Sequence, residues 1–369
     1  MFIKRLVLNN FRCYSHLDIP FNDEKIYLTG ENGVGKTNII EAIYYLTIGR
    51  SFRKADNEAL IKTGEKEASI YIDYHSESDG LDHSLSCIIG HNYKIFAIDG
   101  EEVKKISSIF GKLLAIYYEP SLVFFFKDEP EARRRFLDEA LCQLSPRYLY
   151  SIGRYKKLLK ERNFAMQSNY DADVIETLKN QLIIHSYRIV YDRKRLIDKL
   201  SQKANSYYSL LFGKNDKKFE LCYKTNCPLN PDEKNYVEQC KSLFEQNKSN
   251  ENLKKTTAIG PHRDDLCGLL NGNELAQYGS QGENRLASLS LKLAVMDESK
   301  ETLGNQPLLL LDDVTSDLDD TRCKNLLSLT SKKNLQVFIT GTTIRSGFEN
   351  YKIYKTNGTE LTTGGQHNE

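Results

Sequence analysis

The first residues that point to chemistry form a glycine-rich segment, GENGVGKT. Gly30, Gly35, Lys36 and Thr37 fit the pattern GxxxxGK[ST], between an apolar segment and one with helical periodicity. In this context backbone N–H groups surround phosphate oxygens, Lys36 reaches the outer phosphates and Thr37 ligates magnesium. The sequence therefore predicts a nucleotide-phosphate site made of Gly30, Glu31, Asn32, Gly33, Val34, Gly35, Lys36, Thr37 and Asn38.

A second candidate group is the pair of carboxylates that ends the apolar segment PLLLLDD at 307–313. An uninterrupted leucine run predicts a strand buried in the middle of a parallel sheet. Asp312 is then placed to hold magnesium through water, and Asp313 to orient or deprotonate attacking water, because neighbouring strand residues point to opposite sides. The alternative is a solvated acidic loop, since three more aspartates follow by residue 320.

A third candidate is the segment YGSQGEN at 278–284, which places two glycines and a serine directly before a helical pattern. Its N–H groups and hydroxyl suit an anion. A simple capped helix start has the same composition, so composition alone does not identify an anion site. The position of the segment, about thirty residues before the acidic strand, favours the anion site.

The surrounding patterns predict the elements that position these residues. Residues 1–30 read as three short strands, and 68–118 as an antiparallel sheet with turn residues between its strands. From 130 to 255 the pattern is helical, with a seven-residue apolar period at 175–196 that predicts a helical hairpin. We divide the chain into an N-terminal part at 1–128 with the glycine-rich loop, a helical lobe at 129–255 and a C-terminal part at 256–369 with the acidic strand.

The order of these motifs resembles the ABC-type ATPase heads of chromosome-maintenance proteins. More narrowly, the chain resembles the RecF family of bacterial recombination mediators over nearly its whole length. The segments that carry this resemblance are NNFR (9–12), EARRRFLDEALCQLSPRYL (131–149), GPHRDDL (260–266) and LLLDDVTSDLD (309–319).

The resemblance implies an α/β fold: an ABC-type ATPase head, with a P-loop and a mixed sheet carrying an antiparallel insertion, plus a helical second lobe with a short helical hairpin. It implies a cytoplasmic, DNA-binding recombination mediator that dimerises around ATP and magnesium on gapped or single-strand/double-strand junction DNA. Weak DNA-stimulated ATPase activity, recombinase loading in repair and replication restart, and the RecO and RecR mediators as partners are part of the same implication.

Residue roles carry over from the family's motifs. Ser280, Gln281 and Gly282 would be the signature loop that touches the partner subunit's ATP. Ser316 and Asp319 would belong to the loop that crosses the dimer interface, and Arg12 would touch phosphate. Two residues depart from related proteins: Glu283 stands where family members have glutamine, and Thr340 stands near the place of the switch histidine of transport ATPases.

Two alternatives stay open. Asp313 stands where many related ATPases have glutamate, so the chain could be a nucleotide-gated DNA clamp whose hydrolysis is incidental and slow. A small-molecule P-loop kinase is the other alternative, but it would leave the signature-like loop without a purpose.

The overall composition of the chain is not the composition of a strongly basic DNA-binding protein. The 51 basic and 50 acidic residues give a net charge of +1, so any DNA-binding surface must be local. Residues 131–163 hold nine basic and four acidic side chains, and solvated helices are built in the same way. From this excess we predict DNA contacts at Arg133, Arg134, Arg135, Lys156 and Lys157. No apolar run reaches membrane-spanning length, so no membrane partner is expected.

Overall fold

The computed structural model describes residues 1–53, 55–213, 217–314, 318–331, 333–344, 347–358 and 360–363. Its strands are β1 (Phe2–Phe11), β2 (Tyr14–Pro20), β3 (Lys25–Thr29), β4 (Glu67–His75), β5 (Asp82–Gly90), β6 (Lys94–Ile98), β7 (Glu101–Val103), β8 (Ala115–Tyr118), β9 (Phe219–Lys224), β10 (Asp265–Leu270), β11 (Asn273–Glu274), β12 (Leu308–Leu311), β13 (Val337–Gly341), β14 (Lys352–Thr356) and β15 (Leu361–Thr363). Its α-helices are α1 (Lys36–Ile48), α2 (Asn57–Leu60), α3 (Pro130–Leu144), α4 (Pro146–Gln167), α5 (Ala172–Phe212), α6 (Glu233–Lys254), α7 (Leu275–Tyr278), α8 (Gln281–Leu303) and α9 (Asp320–Ser331).

The chain folds into two compact units. Unit 1 comprises Met1–Leu122, Ser206–Asp216 and Leu289–Glu369, and unit 2 comprises Val123–Asn205 and Lys217–Ser288. The predicted boundary at 255 therefore differs from the observed division. One reason is a non-local pairing, because β10, which lies beyond residue 255, joins β9 in an antiparallel ladder within unit 2. Ser206–Asp216, predicted within the helical lobe, belongs to unit 1 instead.

Unit 1 contains two sheets. The antiparallel sheet has the order β2-β1-β4-β5-β6-β7, and the mixed sheet has the order β15-β14-β3-β13-β12-β8. In β4 apolar and polar residues alternate, so that every second residue from Ala68 to Tyr74 is buried. In β12 all four leucines are buried, as expected for a strand between two parallel neighbours, here β8 and β13. Both features confirm the predicted mixed sheet with an antiparallel insertion. The prediction of one antiparallel sheet over 68–118 is wrong at its end, because β8 pairs in parallel with β12 in the mixed sheet.

Helix α1 contacts strands of both sheets, and its apolar residues from Ile39 to Ile48 are buried almost all round. Because parallel strands end at the same edge of a sheet, the carboxyl ends of β3, β12 and β13 bring their following residues together. This edge lies next to the start of α1, which follows β3 through the glycine-rich loop.

Unit 2 is mainly helical, as predicted for 129–255, but it also contains the three-stranded sheet β11-β10-β9. The helical pattern at 175–196 is part of α5, which is 41 residues long. Its period-seven residues Leu182, Ile189 and Leu196 are buried. All eight cysteines of the chain are thiols, and the described residues contain no group of three or more His, Cys, Asp or Glu side chains that would hold a metal ion. Within the same residues, no helix is both long and apolar enough to cross a membrane.

The GPHRDDL segment (260–266) takes part in a buried network of ion pairs and hydrogen bonds within unit 2. The guanidinium of Arg193 donates to Asp138 at 2.7 Å, to Asp264 at 3.2 Å and to the Pro261 carbonyl at 2.7 Å. Buried charges are tolerated where they are paired and hydrogen-bonded in this way. The segment is therefore used for internal cohesion of unit 2.

His262, in the same segment, is held as a neutral imidazole. Its Nδ1 lies 2.6 Å from the Tyr155 hydroxyl, and its Nε2 lies 3.1 Å from the Thr257 carbonyl. The carbonyl only accepts, so Nε2 carries the proton and Nδ1 accepts from tyrosine. Burial lowers the pKa of His262 to about 4, and nearby arginines act in the same direction. These contacts favour a backbone-satisfied histidine over a metal ligand.

We expect His262 to make unit 2 sensitive to mild acid. Its pKa is about 4 in the folded chain against an ordinary 6.5, so the unfolded chain binds the proton more readily between these values. Stability is therefore complete above pH 6.5 and falls as the pH is lowered toward 4, by about 2 kcal/mol between pH 7 and pH 5. Urea unfolding at pH 7 and pH 5 measures this loss of stability. In His262→Gln, the share of the loss that comes from histidine protonation should be absent. An equal pH dependence in both chains would contradict the assignment.

Candidate functional site

The glycine-rich loop lies between β3 and α1. Gly33 and Gly35 have φ angles of 82° and 99°, a left-handed region that favours glycine. At Gly35 space is also lacking, because a Cβ atom would lie 2.5 Å from Cys13 Sγ. These positions allow the tight turn that a phosphate-binding loop requires.

Lys36 is the first residue of α1, and its ammonium group folds back over the loop. Nζ donates to the carbonyl oxygens of Gly30 at 2.8 Å and Glu31 at 2.7 Å. Burial lowers the pKa of Lys36, whereas the charges of Asp313 and Asp312 raise it. Lys36 is only 8% exposed, and it lines the cavity beside the loop.

Thr37 and Asp312, the two residues predicted to hold magnesium, are in direct contact. Thr37 Oγ1 donates to Asp312 Oδ1 at 2.9 Å, and Thr340 Oγ1 donates to the same oxygen at 2.6 Å. Burial raises the pKa of Asp312, and the two hydroxyl donors oppose this rise. A hydroxyl and a carboxylate are hard oxygen ligands, so this pair fits a magnesium ion.

Asp313 is positioned differently from the prediction. Strand β12 ends at Leu311, and Asp313 has a φ angle of 47°, so strand alternation does not set its direction. The left-handed backbone conformation of Asp313 sets the direction of its side chain instead. The Asp313 N–H donates to Thr340 Oγ1 at 2.9 Å. Thr340, whose role the sequence leaves open, therefore orients both carboxylate residues.

These elements enclose a cavity of about 410 Å³. It combines the loop, the acidic strand end and one arginine that the sequence analysis did not select. Its lining residues are Asn32, Gly33, Gly35, Lys36, Thr37, Asn38, Arg53, Pro120, Asp312, Asp313 and Thr340.

Arg12 and Arg53 are connected by Glu41, a fully buried carboxylate of α1. Arg12 donates to Glu41 from Nε at 3.0 Å and from Nη2 at 2.7 Å, and its Nη1 donates to the Ala59 carbonyl at 2.6 Å. Arg53 Nη1 lies 3.4 Å from Glu41 and 3.1 Å from Asn38 Oδ1. Sequence reasoning missed Glu41 and Arg53, although a lone carboxylate inside the apolar run IIEAI was a visible signal.

The signature-like loop, in unit 2, starts helix α8 with reciprocal capping. The Glu283 N–H donates to Ser280 Oγ at 3.2 Å, and the Ser280 N–H donates to Glu283 Oε2 at 2.9 Å. Lys217 Nζ lies 2.5 Å from Glu283 and is the main cause of the lowered pKa of that carboxyl. The carboxylate at this departure from the family pattern therefore serves the cap, and its charge is balanced.

Comparison with known proteins assigns the chain to a family. A family model described as the RecF/RecN/SMC N-terminal domain matches residues 2–361. The chain is 34% identical to the DNA replication and repair protein RecF of Halalkalibacterium halodurans, over 93% of both chains. The chain belongs to the RecF family. The RecF protein of Clostridium novyi is 35% identical, over 97% of this chain and 99% of the relative.

Solved structures confirm the predicted fold. A structure of the recombination mediator RecF with ATP, from the RecFOR pathway, matches with a TM-score of 0.91 at 27% identity, over 98% of this chain and 97% of that one. An Smc head domain with an extended coiled coil from Pyrococcus furiosus, bound to the C-terminal domain of ScpA, has a TM-score of 0.58 at 17% identity, over 98% and 96% of the two chains, and shows the fold alone. The RecF-family chain therefore has the ABC-type ATPase head expected from its motifs.

The two interface-loop residues of this RecF-family chain have different outcomes. Ser316 lies outside the described residues. Asp319 caps α9, since the Arg322 N–H donates to its Oδ1 at 2.9 Å and Arg322 Nη1 lies 3.0 Å from its Oδ2. The role of both residues in dimerisation stays a prediction.

The five basic residues predicted to bind DNA differ in exposure. Arg133 is 7% exposed, forms a two-pronged ion pair with Asp265 and donates to backbone carbonyls, so the predicted contact of this side chain with DNA is wrong. Arg134 donates to the Asp264 carbonyl, and Arg135 pairs with Glu131 on the same helix. Lys156 pairs with Asp138 at 3.0 Å and Lys157 with Glu161 at 3.7 Å, but their side chains are 64% and 66% exposed and remain accessible.

Proposed function

We propose that this chain is an ATP-dependent, DNA-binding recombination mediator that acts in the cytoplasm. In this proposal it dimerises around ATP on gapped or junction DNA, works with RecO and RecR, and aids recombinase loading. The convergence of Lys36, Thr37 and Asp312 at one cavity carries the proposal. Its relatives are DNA replication and repair proteins, and a matching structure is that of RecF with ATP.

The cavity supports a specific way of binding ATP. Lys36 would exchange its two carbonyl acceptors for phosphate oxygens, and the N-terminus of α1 would add its positive end. Thr37 and Asp312 would hold a magnesium ion, which neutralises phosphate charge when bound. Arg12 is not among the residues that line the cavity. Its guanidinium pairs with Glu41 and donates to the Ala59 carbonyl, so a contact of Arg12 with phosphate rests on the family resemblance alone.

Hydrolysis is assigned to Asp313. Its carboxylate stands beside Lys36 and lines the cavity, where it would orient the attacking water and accept its proton. Aspartate is one methylene shorter than the glutamate of many related ATPases. This difference favours slow hydrolysis, so a nucleotide-gated clamp with incidental turnover is the second candidate function.

The two carboxylates should separate binding from hydrolysis. Asp313→Asn should bind ATP within about twofold of the parent and hydrolyse it at least tenfold more slowly, because a general base contributes about 10²–10⁴ to the rate. Asp312→Asn should lose the gain in ATP affinity that magnesium produces in the parent. ATP titration with magnesium or EDTA, and single-turnover phosphate release, measure both effects. Parental rates in both variants would exclude the acidic strand end as the active site.

A further inference from the structure

Helix α4, in unit 2, has one exposed face with an unusual composition. Its residues recur three or four positions apart, so they share one side of the helix. Tyr150 and Phe164 on this face are 64% and 57% exposed, and the side chain of Lys157 is 66% exposed. The opposite face packs into the unit through Tyr148, Ile152, Tyr155 and Leu158. The exposed residues in order are Arg147, Tyr150, Arg154, Lys157, Glu161 and Phe164.

The positive charges of this face are mostly uncompensated. Arg147 and Arg154 form no ion pair with any residue in the described part of the chain. Glu161 is the one acidic residue of the face and lies 3.7 Å from Lys157. Three cations thus stand against one carboxylate, along about 15 Å of helix axis from Arg147 to Lys157.

Helix α5 adds an aromatic ring beside Tyr150. The His185 ring lies 5.9 Å from the Tyr150 ring, at an interplanar angle of 66°. Burial and the nearby Arg154 lower the pKa of His185, so the imidazole is neutral at pH 7. The two rings thus contact each other in an edge-to-face arrangement, whereas most of the Tyr150 surface remains exposed.

We propose that this α4 face, together with His185, is a contact surface for single-stranded DNA. The inference rests on the proposed DNA-binding function and deepens it. Tyr150 stacks on an unpaired base, and Arg147, Arg154 and Lys157 pair with phosphates of the same strand. A duplex cannot use Tyr150 in this way, because its bases are already stacked on both faces, so the surface distinguishes the single-stranded part of a gapped substrate.

The stacking contact is tested with the full chain, ATP and magnesium, by fluorescence anisotropy on a 20-nucleotide oligo-dT and a 20-base-pair duplex. Tyr150→Ala should weaken oligo-dT binding by about fivefold or more and leave duplex binding unchanged. Tyr150→Phe, which keeps the ring, should bind as the parent does. Tyr93→Ala, at a tyrosine 47% exposed in unit 1, is the matched control and should change neither affinity.

The phosphate contacts have a separate readout. Each contact to a single strand contributes about 0.7 to the slope of log K against log salt, so Arg154→Gln should lower that slope by about this amount. Lys241→Gln removes an exposed charge from α6 and should leave the slope unchanged. Polyglutamate should compete weakly with oligo-dT, because it offers charge without bases.

Three results would contradict the proposal that this surface binds single-stranded DNA. They are parental oligo-dT affinity in Tyr150→Ala, an equal loss on the duplex, and polyglutamate competing as well as oligo-dT. If the parent chain binds ATP but neither oligo-dT nor the duplex, the proposed DNA-binding function itself is contradicted. If the parent binds both DNAs and Tyr150→Ala changes neither affinity, only the proposed surface is contradicted. Urea midpoints equal to that of the parent verify that the variants are folded.

Discussion

Replacing Lys36 with alanine will weaken ATP binding by about 1.5–3 kcal/mol, or roughly 12- to 160-fold, the range for a hydrogen bond to a charged group. The buried ammonium lies at the cavity beside the loop, where its pairing with phosphate is poorly screened by water. Isothermal titration with ATP measures the change.

The matched control for this loss is Lys352→Ala, which removes an exposed lysine from β14 in the same unit. It should bind ATP with parental affinity. If Lys36→Ala also does so, the glycine-rich loop is not the nucleotide site, and the cavity needs another explanation.

Placing arginine at Ser280 will keep the chain monomeric in the presence of ATP. In the proposed dimer the signature loop would meet the partner's nucleotide, so ATP would become part of the interface and drive dimerisation by mass action. The bulk of arginine at the proposed contact should cost about 1–3 kcal/mol, which would weaken dimerisation roughly 5- to 160-fold. The measurement is light scattering with ATP and magnesium, on the slowly hydrolysing Asp313→Asn background.

The structure provides the control for this variant. Ser280 caps helix α8 through the Glu283 N–H, so Ser280→Ala removes the cap, at about 0.5–2 kcal/mol of stability, without adding bulk. Ser280→Ala should still dimerise, and Ser280→Arg should still bind ATP through Lys36. A Ser280→Arg chain that dimerises as readily as its parent would show that the loop is merely a helix cap.

Sequence patterns led to a wrong prediction for Arg133, whose partner lies far away along the chain. Arg133 belongs to a basic cluster, and composition alone favours a solvent-facing or DNA-facing side chain. Its actual partner, Asp265, lies 132 residues away in the chain, and pairing of β10 with β9 in unit 2 accompanies that contact. Charge counts cannot distinguish such a buried pair from an exposed one, because they contain no information on burial.

The sequence by itself determined the glycine-rich loop, the antiparallel strands and the buried leucine strand. Each of these depends on residues that are neighbours in the chain, through backbone freedom at Gly33 and Gly35 or through the two-residue period of strands. The family resemblance also followed from contiguous motifs.

Only the tertiary structure decided how the carboxylates are held. Thr340 reaches Asp312 because β13 lies beside β12. Arg12 reaches Glu41 across 29 residues of sequence, and Arg53 joins the same carboxylate from the segment that follows α1. A hydroxyl or a carboxylate finds its partner through the order of the strands and the packing of the helix. That order is set by the burial of the whole core, which no local pattern contains.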